Sequence, residues 1–153
     1  SLGKRRSCVV TDLDDTLLAK GSLRPLTDVT NAISKMRTDL GVVVVVITAR
    51  NELGRELTEG QLAQKQVVYD ELLMHPADMP LESSVDAAKQ KALWRQSLVD
   101  RDMDILAVLG DQAFDHTTDV VDLTLQAPSD APVVTYLDEG GVAHVYLRHN
   151  HAA

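Results

Sequence analysis

With 153 residues, 44% of them hydrophobic and 25% charged, the chain has the size and balance of one folded domain and not of a disordered segment. A formal charge of -8 and a pI near 4.9 exclude a non-specific hold on nucleic acid or on an anionic membrane, because both need a basic surface. Cys8 is the single cysteine, which excludes an intrachain disulfide and a thiolate zinc cluster.

In chain order, Cys8 to Leu13 is short and apolar and reads as a strand buried on both faces. Pro25 opens a helix in which Leu26, Val29, Ala32, Ile33, Met36 and Leu40 recur at helical spacing, and Gly41 closes it. Val42 to Ile47, five valines and an isoleucine, is a second buried strand. A helix over Glu56 to Glu71, a short strand at Leu72 to Met74, a turn through Pro76 and Pro80, and a helix from Ser84 to Val99 follow. Asp104 to Leu109 and Val120 to Leu125 read as further strands. Val133 to Leu137 and Val142 to Leu147 flank Asp138-Glu139-Gly140-Gly141 as a β-hairpin. Strands alternating with helices predict a Rossmann-like, doubly wound parallel sheet, with residues 1–153 forming one domain and the hairpin appended.

In such a sheet, ligands sit at the carboxyl ends of the strands. Those ends carry Asp12 to Asp15, Thr48-Ala49-Arg50, and Gly110 to Asp115. Carboxylates gathered in one crevice repel one another unless a hard cation with oxygen ligands lies among them. Asp12, Asp14 and Asp111 offer a magnesium set with room for water and a phosphate oxygen. A lone D-x-D also suits a solvated turn, and Thr48 also suits a helix cap.

Val9-Val10-Thr11-Asp12-Leu13-Asp14-Asp15-Thr16-Leu17 resembles the first motif, D-x-D-x-T-L, of phosphatases of the haloacid dehalogenase (HAD) superfamily. Thr48 in Val-Ile-Thr-Ala-Arg is similar to the second motif, and Leu109-Gly110-Asp111-Gln112-Ala113-Phe114-Asp115 to the fourth, G-D-x-x-x-D. The resemblance spans Cys8 to about Leu125 and is strongest toward the capless acid phosphatase and polynucleotide 3'-phosphatase branches. It implies that Asp12 is the nucleophile, forming an aspartyl-phosphate, and Asp14 the general acid and base. Thr48, Arg50 and the third-motif lysine would hold phosphate. Asp12, Asp14 (through its backbone carbonyl) and Asp111 would hold Mg2+, with Asp115 binding through water or orienting the lysine. Lys91, twenty residues before Asp111, is the preferred lysine, and Lys89 the alternative.

The intervals from Asp14 to Thr48 and from Arg50 to Lys89 leave no room for a cap domain. An uncapped crevice suits a phosphorylated small molecule, a phosphoprotein or a nucleic-acid end, or a lid from a second copy in a homo-oligomer. The longest apolar run is too short for a bilayer, so the expectation is a cytoplasmic, membrane-free protein. Two other readings are a phosphoacceptor receiver-type signalling domain and a non-catalytic binding protein on the HAD scaffold. A receiver pairs adjacent acids after its first strand, and this chain has D-x-D with a late G-D-x-x-x-D.

Overall fold

The computed structural model describes residues 5–116 and 133–147. Strand β1 (Arg6–Thr11) is followed by helix α1 (Thr27–Leu40) and strand β2 (Val43–Asn51). A 3-10 turn (Glu52–Gly54), α2 (Arg55–Gln64) and β3 (Glu71–His75) come next. Helix α3 (Ser84–Asp100), β4 (Met103–Gly110) and a second 3-10 turn (Ala113–Asp115) lead to β5 (Val134–Leu137) and β6 (Ala143–Tyr146).

The strands form one six-stranded sheet in the order β3-β2-β1-β4-β6-β5. Its pairings are parallel except for the β5–β6 hairpin. The chain moves outward from β1 to β2 and β3, then crosses back through α3 to place β4 on the other side of β1. That reversal puts a crevice at the carboxyl ends of β1 and β4.

Strand alternation explains why the valine-rich runs are buried on both sides. Val9, Val44 and Val46 point to one face, where they pack with Val29 and Ile33 of α1 and Leu62 of α2. Cys8, Val10, Val43, Val45 and Ile47 point to the other, against Leu98 and Trp94 of α3. Val44, Val45 and Val46 are wholly shielded from solvent, and each contributes about 2 kcal/mol of hydrophobic stabilisation.

Three elements depart from the sequence expectation. Strand β2 runs on through Thr48, Ala49 and Arg50 to Asn51, which pairs with His75 after a shift in register. The expected end at Ile47 marks where the apolar run ceases, not where pairing ceases. Helix α2 stops at Gln64, seven residues short, because Gln66 turns into the left-handed region (φ 58°) and redirects the chain toward β3. Helix α1 begins at Thr27, since Pro25 bridges Leu18 instead; Leu40, expected on the apolar face, is exposed. Gly41 closes α1 in the left-handed conformation (φ 67°), as its lack of Cβ permits. The expected strand at Val120 to Leu125 lies outside the described residues. No described helix is long and apolar enough to cross a membrane.

Candidate active site

The turn after β1 is built by Leu13, whose carbonyl accepts from the amides of Thr16, Leu17 and Leu18 at 3.3, 2.8 and 3.2 Å. Leu13, Leu17 and Leu18 are buried and pin the turn to the core. The Asp12 amide donates to the Leu109 carbonyl at 2.9 Å, extending the β1–β4 ladder by one rung. Asp12 and Asp111 are thereby carried to neighbouring positions across the crevice floor.

After β4, Gly110 permits a reversal that no other residue fits, because a Cβ there would overlap the Asp115 side chain. The Asp115 amide donates to the Gln112 carbonyl, and Asp115 Oδ2 accepts from the Gln112 amide, both at 3.0 Å. The free oxygen, Oδ1, receives Lys91 Nζ at 2.5 Å. Lys91 also donates to Asp12 Oδ1 at 2.7 Å. One helical turn further along α3, Arg95 Nη1 donates to the Asp115 carbonyl at 2.9 Å, so α3 grips this turn at two points. Lys91 is 3% exposed and Lys89 is on the solvent side, which decides which of the two lysines meets the crevice.

Asp12, Asp111 and Asp115 are all buried, with one carboxylate oxygen of each within 4.8 Å of the others. Three carboxylates face the single ammonium of Lys91, so full ionisation leaves negative charge in excess. Burial, and then the charge of Asp115, raise the Asp12 carboxyl to about 6 despite Lys91. Burial and the charge of Asp12 raise Asp111 to about 7. Burial disfavours the Lys91 ammonium, but Asp115 and Asp12 outweigh it and hold the lysine more basic than usual. Buried oxygen donors in negative excess suit a hard dication.

A crevice of about 270 Å³ opens above this cluster, lined by Asp12, Asp14, Asp15, Lys20, Gln112 and Phe114 among others. The Phe114 ring lies 5.4 Å from Lys91 Nζ. The Asp14 carboxylate is outside the Asp12–Asp111–Asp115 group; it is held by Arg50, whose Nε and Nη2 donate to its two oxygens at 2.9 and 2.7 Å. Arg50 Nη1 donates to Gln61 Oε1 at 2.6 Å and to Thr58 Oγ1 at 3.2 Å, both on α2. Thr48 is buried, and its hydroxyl accepts from the Arg50 amide at 3.1 Å.

Sequence reasoning passed over several partners. Thr16 Oγ1 reaches Asp111 Oδ1 at 3.4 Å and Gln112 Nε2 donates to Asp111 Oδ2 at 3.1 Å. Thr16 stood inside the first motif and could have been found there; Thr58 and Gln61 carried no signal, being ordinary polar residues on a helix. Behind the site, His116 donates from Nε2 to the Gly110 carbonyl at 3.0 Å. Its Nδ1 lies 3.1 Å from His144 Nδ1, and His144 Nε2 is 2.9 Å from Asp138 Oδ2. The hairpin is thus tied to the end of β4. Burial drives the His116 imidazole down to about 3, so it is neutral. His75 is structural: it is buried and its Nε2 donates to the Pro80 carbonyl at 3.1 Å.

No protein-family model matches the sequence, and no curated protein does. Solved structures do. A chain of the Pnkp1/Rnl/Hen1 RNA repair complex superposes with a TM-score of 0.63 at 24% identity, over 81% of this chain and 41% of that one. The class C acid phosphatase from Bacillus anthracis superposes with a TM-score of 0.53 at 19% identity, over 76% of this chain and 56% of that one. The chain therefore spans about two fifths of the first relative and just over half of the second. At these identities the likeness defines the fold alone, a Rossmann-like α/β domain with a mostly parallel sheet.

Proposed function

We propose that the chain is a Mg2+-dependent phosphomonoesterase working through an aspartyl-phosphate on Asp12. The observation that carries this reading is the buried Lys91 ammonium spanning Asp12 (2.7 Å) and Asp115 (2.5 Å) beside Asp111, at the carboxyl ends of β1 and β4. The fold shared with an acid phosphatase supports it.

The carboxylates of Asp12 and Asp111 and the backbone carbonyl of Asp14 would hold Mg2+, with Asp115 acting through Lys91 or a water. When bound, the ion supplies positive charge that offsets both the carboxylates and the substrate phosphate. In the first step an Asp12 carboxylate oxygen attacks phosphorus, the ester P–O bond breaks, and Asp14 gives its proton to the leaving oxygen. Lys91 and the Thr48 hydroxyl steady the equatorial oxygens, where transition-state charge gathers. In the second step water attacks phosphorus, Asp14 takes its proton, and the bond to Asp12 breaks. Asp14 is then protonated for the next turnover.

The substrate class is a phosphomonoester on a small molecule, a phosphoprotein or a nucleic-acid end, since the described residues carry no cap over the crevice. Hydrolysis of a generic aryl phosphate with and without Mg2+ tests the reading. Activity is expected only with the ion, and Asp12→Asn is expected to lose more than about a hundredfold. Undiminished activity in the variant would remove Asp12 as nucleophile.

A further inference from the structure

An arginine side chain has a long flexible stem, and its planar fork is selective only when its orientation is fixed. In this chain the orientation of Arg50 is fixed from α2. Gln61 Oε1 and Thr58 Oγ1, three residues apart on one helix face, take Nη1 at 2.6 and 3.2 Å. That leaves the Nε–Nη2 edge aimed at both oxygens of Asp14 at 2.9 and 2.7 Å. Thr58 is 2% exposed and Arg50 and Gln61 are partly buried, so the contacts are shielded from competing water. The sequence separations, 36 residues from Asp14 to Arg50 and 11 from Arg50 to Gln61, show that the chain of contacts is a tertiary construction.

We propose that Gln61, assisted by Thr58, is a positioning residue for proton transfer: it orients Arg50, and Arg50 places the Asp14 carboxylate against the leaving-group oxygen. This rests on the phosphatase reading above. The fork spans both Asp14 oxygens and so fixes the plane and position of that carboxylate on the crevice wall, where it must meet the leaving oxygen for the proton to pass. Loosening Gln61 therefore weakens the acid selectively, while the nucleophile, Lys91 and the carboxylate cluster stay in place.

The experiment compares kcat/KM, which reports transfer of phosphorus to Asp12, for an alkyl phosphate and for p-nitrophenyl phosphate. Gln61→Met keeps the side-chain length and removes the acceptor. It is expected to lower kcat/KM about tenfold on the alkyl ester, whose poor leaving group needs the proton, and less than about twofold on the nitrophenyl ester. Gln61→Glu, which restores an oxygen acceptor for Arg50, is expected to return the ratio of the two esters to that of the unsubstituted protein. Thr58→Val is expected to shift the ratio in the direction of Gln61→Met, by less. An equal loss on both esters, or no loss, in a Gln61→Met protein that melts normally overturns the positioning role alone. If the unsubstituted protein hydrolyses neither ester, the phosphatase reading fails and this proposal falls with it.

Discussion

Gly110 is where a single hydrogen atom decides the geometry of the site. Any Cβ at this position meets the Asp115 side chain, the group that holds Lys91 against Asp12. Its carbonyl is also committed, accepting from His116 Nε2 at 3.0 Å and from the Leu147 amide at 2.9 Å. The backbone therefore has no direction in which to yield. Gly110→Ala should destabilise the fold by about 2 kcal/mol through overpacking, and should lower the proposed phosphatase activity beyond what the loss of folded protein explains. Urea melts beside activity measured at matched folded fraction check both, and full activity in a stable variant would show that the turn is free to shift. The sequence marked Gly110 and both aspartates through the spacing G-D-x-x-x-D, because a tight turn imposes short local distances. It could not mark Arg50 as the partner of Asp14, since nothing local to either residue encodes a contact across 36 positions.

At the scale of elements, legibility followed burial. The central strands β1, β2 and β4 stood out through their apolar stretches, of which Cys8 to Val10, Val43 to Ile47 and Val108 to Leu109 are buried. The polar end of β2 was hidden for the same reason: backbone pairing continues to Asn51 without an apolar signal. In α3, Ala87, Lys91, Trp94 and Leu98 form the inward stripe, while Val85, Lys89 and Leu93 lie outside. Exposed Leu93 and Val85 blur that periodicity, which is why Lys89 and Lys91 were hard to separate by pattern alone. The junction of α1, β2 and β3 offers a test of which contact holds elements together. Asp70 Oδ2 accepts from the Val44 amide at 2.8 Å, and the Asp70 amide donates to the Val44 carbonyl at 2.8 Å. Arg37 adds a fork to Asp70 from the last turn of α1. Asp70→Ala leaves the Val44 amide without its partner and should cost about 2 kcal/mol. Arg37→Ala removes an ion pair that water screens and should cost less than about 1 kcal/mol. Equal losses in chemical denaturation would mean that the fork, not the backbone cap, secures the junction.

For the molecule as a whole, the charge gathered at the crevice makes stability depend on pH and, under the proposed function, on divalent ions. Without metal, Asp12 titrates near 6 and Asp111 near 7, against about 4 for an aspartate in the unfolded chain. A carboxyl raised in the folded state contributes stability that is complete below about pH 4 and is lost as pH rises through its folded value. These groups therefore weaken the metal-free fold progressively from about pH 4 to about pH 7. His116 acts in the opposite sense, because a neutral buried imidazole, pushed to about 3, disfavours folding below the ordinary histidine range near 6.5. The pH profile of the unsubstituted protein mixes the two effects. Its difference from Asp12→Asn cancels His116, so the variant should gain on the parent in melting temperature from pH 5 to about pH 7 and hold that gain to pH 8. Under the proposed function Mg2+ would bind the ionised carboxylates of the folded chain, and its stabilisation would grow with deprotonation. Adding Mg2+ should raise the melting temperature of the parent more at pH 8 than at pH 5, and that of Asp12→Asn much less at either. A difference curve flat in pH would mean that Asp12 is ionised throughout this range, and equal Mg2+ shifts in both proteins would place the ion away from Asp12.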